Sequence, residues 1–144
     1  PLIAGPNPPG NLGAMISALK RNRYLSIGDG TARRSMVLGT DVGRLFSRLN
    51  GSECGIYNLT DGHHPSIREL EKAVCKQLGR SMPSRIPQCI ARALGSCGDF
   101  FGRYSPVNSA MIDKLVNTLT FNDSEAKRQL DWKPSSVIDN FTLG

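Results

Sequence analysis

The chain has 144 residues, 39% of them hydrophobic and 21% charged, enough for one domain with a real core and short for two. That balance excludes a disordered polymer, a collagen and a disulfide scaffold, and no apolar run has the length of a membrane span. The net charge of +6, from 18 basic and 12 acidic side chains, is spread along the chain instead of forming a stripe. A small anionic ligand explains it as well as a nucleic-acid partner would.

Pro1 to Gly5 reads as a short buried strand broken by Gly-Pro. Because a chain rarely begins inside a buried strand, the natural protein is expected to continue upstream. Leu12, Met15, Ile16 and Leu19 then fall at helical spacing, with Asn11 as N-cap. Tyr24 to Ile27, the turn Gly28-Asp29-Gly30 and Ser35 to Leu38 together suggest a hairpin. A second helix follows, capped by Thr40 or Asp41 and striped by Val42, Leu45, Phe46 and Leu49; Gly55 to Leu59 reads as a further strand.

Ser66 and Glu69 form a capping-box pair ahead of Ile67, Leu70, Val74 and Leu78, and Gly79 stops that helix. The stretch from Arg80 to Val107 suggests one helix from Pro87 to Leu94 and then a glycine-rich loop. Helices from Asn108 to Leu115 and from Asp123 to Leu130 come next, and Ser136 starts a last one. Crossover helices between buried strands indicate an α/β fold with the edge of a parallel sheet. No zinc-like spacing links Cys54, Cys75, Cys89 and Cys97, which read as reduced, mostly buried thiols of a cytoplasmic protein. His63 and His64 read as solvent-facing turn residues.

Several short pieces occur in one order: Pro1-Leu2-Ile3-Ala4-Gly5-Pro6, Asn11-Leu12, Arg34-Ser35-Met36-Val37 with Asp41, Tyr57-Asn58-Leu59, Asp123-Ser124-Glu125-Ala126 and Leu130-Asp131-Trp132-Lys133-Pro134. Over almost its whole length the chain thereby resembles the C-terminal half of extended short-chain dehydrogenase/reductases of the NAD-dependent nucleotide-sugar epimerase/dehydratase family. The resemblance implies a substrate-binding part, residues 1–144, that is mostly helical with a small hairpin and two strands of an incomplete Rossmann sheet. The NAD-binding half, with its glycine-rich turn and Tyr-x-x-x-Lys pair, would lie outside it. Gly28-Asp29-Gly30 lacks a third glycine, and Tyr24, Tyr57 and Tyr104 have no lysine four residues on. NAD is therefore expected only in the intact protein, with no catalytic residue, cofactor site or metal site in this chain.

The same resemblance implies the ligand contacts. Asn11 and Leu12 match the helix start that meets a diphosphate, although Asn11 serves equally well as a cap of its own helix. Leu25, Ser26 and Ile27 match a strand that lies along uracil, and Arg34, with Arg33 as rival, matches an arginine that reaches the diphosphate. A second phosphate-binding arginine is sought among Arg85, Arg92 and Arg103, with Arg103 preferred for its glycine-rich loop. Asp41 is read as structural, and Asp131 stands where glycine is usual before Trp. The implied activity is epimerisation at C4 of a UDP-hexose through a 4-keto sugar, with a homodimer of the intact enzyme and no membrane or nucleic-acid partners as further expectations. A dehydratase or reductase of the same family, or a non-catalytic nucleotide-binding module, fits the same pieces.

Overall fold

The computed structural model describes residues 1–51, 54–101 and 109–143. In chain order the elements are β1 (Leu2–Ala4), α1 (Gly10–Lys20), β2 (Ser26–Ile27), β3 (Met36–Leu38), α2 (Gly39–Phe46), α3 (Ile67–Leu78), β4 (Arg85–Ile86), α4 (Gln88–Phe101), α5 (Ser109–Val116), α6 (Ser124–Leu130) and α7 (Val137–Asn140). This is the α/β, mostly helical architecture expected, but the strands pair differently. β2 and β3 form no hairpin: β1 pairs with β3 and β2 with β4, both in parallel.

Burial and local bonding explain the difference. All three residues of β3 are buried, as in strands covered on both faces of a parallel sheet. Between β2 and β3, Arg33 bridges to Ser66 and Arg34 to Leu119, so this segment spends its backbone on other partners. The expected strand at Gly55–Leu59 is also absent. The chain after it makes one backbone bond to the sheet, from Asp61 N–H to Met36 C=O at 2.8 Å, and no ladder.

The α1 stripe packs as its spacing requires, with Leu12, Met15, Ile16 and Leu19 buried against Met36, Leu70, Val74 and Phe141. Asn11 is not the N-cap. Pro9 holds that position without a side-chain bond, and the helix begins at Gly10. Gly13 is required there because a Cβ would come within 2.1 Å of the Pro8 carbonyl oxygen. Likewise Leu38, not Thr40 or Asp41, is the N-cap of α2. Asp41 is nonetheless structural: its carboxylate accepts from Ser135 N–H at 2.6 Å and pairs with Arg44 at 2.8 Å.

α3 carries the expected capping box from Ser66 and Glu69, and it ends on Gly79 in the left-handed conformation. α4 runs seven residues past its expected end at Leu94. Packing on α5 outweighs the helix cost of its internal glycines, about 1 kcal/mol each. Trp132 centres a second cluster with Val37, Leu45 and Ala126, and its indole N–H donates to Thr60 C=O at 2.8 Å. Asp131 just before it is left-handed, φ 47°, which accounts for a glycine preference at that place. Cys75 is buried, but Cys54 and Cys89 are exposed free thiols.

Candidate functional site

Three cavities lie in succession and share walls. The first, about 520 Å³, is lined by Asn11, Arg34, Ser35, Lys114 and Asn117 among others. A second, about 240 Å³, shares Leu2, Asn11, Arg34 and Lys114 with it and adds Leu12, Tyr24 and Leu115. The third, about 160 Å³, shares Tyr24, Ile67 and Leu115 with the second and is bounded by Leu25, Ile27, Gly28 and Gln88. Together they make one trough from the start of α1 to β2. Of the seven residues expected to bind ligand, Asn11, Leu12, Arg34, Leu25 and Ile27 line it.

The α1 end offers uncommitted donors, a setting in which an anion is favoured. The helix start has no side-chain cap and no acidic residue in its first turn, so its free N–H groups and positive dipole end are uncompensated. Asn11, in that first turn, is exposed. Lys114 on α5 lines both adjoining cavities and makes no side-chain bond among the described residues. Asp113, the acid in the same wall, is held by Arg92 at 3.7 Å.

Arg34 is placed differently from what its sequence position suggests. It is 7% exposed, and its terminal nitrogens donate to the carbonyls of Arg33 at 2.8 Å, Asn117 at 2.6 Å, Leu115 at 3.1 Å and Lys114. Four of its five N–H donors are thereby committed, mainly to the C-terminal end of α5, where a cation complements the helix dipole. Burial lowers its pKa from the ordinary arginine value. Its rival Arg33 is exposed and donates to His64 C=O at 2.9 Å. Arg34 therefore orients α5, the helix that carries Lys114.

At the β2 end, Ser26 faces inward. It is fully buried, its hydroxyl donates to Glu71 at 2.8 Å, and its N–H donates to Ser84 C=O at 3.0 Å. Glu71, on α3, is also fully buried. Its second oxygen lies 3.9 Å from the Arg85 guanidinium and has no hydrogen-bond partner among the described residues. Arg85 in turn donates to Asp29 C=O at 2.8 Å. This chain of contacts fixes β2, β4 and the Gly28-Asp29-Gly30 turn to α3. Burial first, and then the charge and hydrogen bonding of Glu71, push the Tyr24 phenol far above its ordinary range.

Of the proposed second arginines, Arg85 serves this network, Arg92 holds Asp113, and Arg103 lies outside the described residues. His63 is exposed as expected. His64, by contrast, is half-buried, with Nδ1 3.1 Å from the Ser35 hydroxyl, which also accepts from Phe121 N–H at 2.7 Å. A positive φ of 50° turns its backbone where a glycine would be more usual. Lys114 and Gln88 escaped the sequence reading because no motif marks them; only the packing of α4 and α5 beside β2 brings them to the trough.

No family model and no curated protein match this sequence. Solved structures do. The protein gox2253 matches with a TM-score of 0.68 at 18% identity, over 96% of this chain and 44% of that one. UDP-glucose 4-epimerase of Thermotoga maritima, solved with UDP-glucose, matches with a TM-score of 0.63 at 18% identity, over 96% of this chain and 40% of that one. The fold is one that sugar-nucleotide epimerases contain. UDP-glucuronic acid 4-epimerase of Bacillus cereus, solved with UDP-glucuronic acid and NAD, agrees: TM-score 0.62, 16% identity, and 96% and 40% of the two chains. The chain thus spans less than half the length of the structures it matches. Among its described residues no helix is long and apolar enough to cross a membrane.

Proposed function

We propose that this chain is the nucleotide-sugar-binding portion of an NAD-dependent short-chain dehydrogenase/reductase, acting as an epimerase on a UDP-hexose. The observation that carries this reading is the trough itself, with an uncapped helix start and Lys114, which makes no side-chain bond among the described residues, at one end and a cavity bounded by the β2 strand, the Gly28-Asp29-Gly30 turn and Gln88 at the other. A nucleoside diphosphate, with an anionic end and a flat base that carries its own polar edge, fits that arrangement.

The diphosphate lies at the α1 start, taking the free N–H groups, the Asn11 amide and the Lys114 ammonium. Arg34 acts through α5, holding Lys114 in place, and adds its charge from behind. The Gly28-Asp29-Gly30 turn does not fit NAD: it lies between β2 and β3, packed on α3 so that a Cβ on Gly30 would be only 3.2 Å from Arg68, and it opens no helix. Hydride chemistry thus belongs to residues outside this chain. The contribution made here is binding energy, which fixes a distant sugar for reaction. The open edge of β1, where Ile3 is exposed, is where further strands of the same sheet join.

Calorimetric titration with UDP and UDP-glucose tests the reading. Both bind the wild-type chain, and Lys114→Ala weakens both by about 1.5–3 kcal/mol, as for a charge-assisted bond. Absence of UDP binding would remove the trough as a nucleotide site.

A further inference from the structure

Basic residues that are spread along the sequence come together at one corner of the fold. Residues 1–28 and 72–98 contain no acidic residue and hold eight of the 18 basic ones. The two stretches meet where α1 and α3 end: the Arg80 guanidinium donates to Lys20 C=O at 2.8 Å and to the Asn22 side-chain oxygen. Arg80 thereby closes the C-terminal end of α1, a role that suits a cation. Arg21 and Arg23, on either side of Asn22, are exposed and make no side-chain bond among the described residues.

A cavity of about 220 Å³ lies at this corner. Asn22, Arg80, Ser81 and Ser84 give it polar walls, and Leu25 and Met82 line it while remaining 54% and 42% exposed. No carboxylate lines it. The chain has little acid left to neutralise the corner. Of the described carboxylates, all but Asp139 already accept a hydrogen bond or sit in an ion pair. A second copy of the chain would bring the same committed acids, so it does not complement this surface.

We infer that this corner is an interaction surface for an acidic segment of a partner protein, with its carboxylates on Arg21 and Arg23 and one apolar side chain against Leu25 and Met82. The planar guanidinium takes a carboxylate through two parallel bonds. Each exposed pair adds only modestly to affinity, so the segment carries more than one acid. A nucleic acid would call for exposed aromatic faces on which bases stack, and the one aromatic residue of the cavity, Tyr24, is half-buried. A membrane surface would call for a continuous apolar face, whereas Leu25 and Met82 border a polar recess.

The test is fluorescence anisotropy of the whole chain with a short labelled peptide rich in aspartate and glutamate around one leucine. Its controls are the same peptide with serine for leucine, the same peptide with amides for carboxylates, an oligothymidylate, and phosphatidylserine vesicles. The wild type binds the acidic leucine peptide more tightly than any control. Replacing both arginines, Arg21→Ala with Arg23→Ala, weakens that peptide about tenfold, as the loss of two exposed ion pairs allows. Met82→Ser weakens it about threefold and leaves the leucine-free peptide unchanged. Both variants alter exposed side chains only, and their unfolding midpoints match the wild type. No binding of the acidic peptide, equal binding of its amide counterpart, or affinity unmoved in both variants would overturn the assignment. Tighter binding of the oligonucleotide or of the vesicles would overturn it as well, in favour of that partner.

Discussion

The two ends of the trough use their polar groups in opposite ways. At the α1 end the strongest donor, the Arg34 guanidinium, is bonded almost wholly to protein carbonyls, while the helix start is uncapped and Lys114 is free among the described residues. At the β2 end the buried charge of Glu71 is enclosed by Ser26 and Arg85, while Gln88 and the open edge of β2 are uncommitted. In both places a buried charge builds the wall and a less conspicuous group faces the trough. Charge type alone does not tell which cation is left with donors to offer. What decides is which hydrogen bonds the fold has left unmade.

Substitution at the buried charges would break that comparison most severely. Glu71→Ala leaves the fully buried Ser26 hydroxyl without its acceptor and removes the carboxylate beside Arg85, and the expected loss is about 3 kcal/mol in denaturant unfolding. A loss below about 1 kcal/mol would mean that β2 and β4 are held by something other than this network.

Arg34→Ala comes next, with about 2 kcal/mol lost as the α5 carbonyls give up their donor. Its effect on pyrophosphate affinity, measured on the folded protein, should be smaller than that of Lys114→Ala. Lys114→Ala should show the reverse pattern, leaving stability within about 0.5 kcal/mol because the residue is exposed and its side chain makes no bond among the described residues. Equal loss of affinity in both variants would place Arg34 directly on the phosphates and collapse the distinction between wall and ligand group.

The smallest effect concerns pH. The folded Tyr24 phenol holds its proton above the ordinary tyrosine range, so the native state binds more protons than the unfolded state once pH passes about 10. Stability is therefore fully present below that pH and falls above it. In Tyr24→Phe this part of the alkaline decline should vanish from the unfolding midpoint measured between neutral pH and pH 11. An identical decline in both proteins would show that the phenol is not shielded by burial and Glu71.

Local signals carried much of this fold. The α1 stripe, the capping box at Ser66 and Glu69, and the Gly79 stop depend on residues within one or two turns of each other, and all are present as expected. The order of short pieces from Pro1 to Pro134 also indicated an α/β fold of the epimerase kind, which the solved structures share. Strand pairing was less legible. β2 and β3 are near in sequence with a glycine turn after the first, yet each finds a parallel partner elsewhere. β4 has only two residues and too little pattern to announce itself. α4 ran longer than its glycines suggested because α5 lies against it.

The sequence by itself determined the α1 stripe and, for α3, the capping box, the Gly79 stop and the apolar face, since those follow from spacing along one chain segment. It also marked Asn11, Leu12, Leu25, Ile27 and Arg34, all of which line the trough. Only the tertiary structure decided what each could still do. It turned Ser26 inward to Glu71, tied Arg34 to the end of α5, and brought Lys114 and Gln88 to the trough with no side-chain bonds among the described residues. A hydrogen bond between residues 45 or 83 positions apart leaves no periodic trace in sequence, so the partners a side chain has taken, and those it still lacks, are settled when the elements pack.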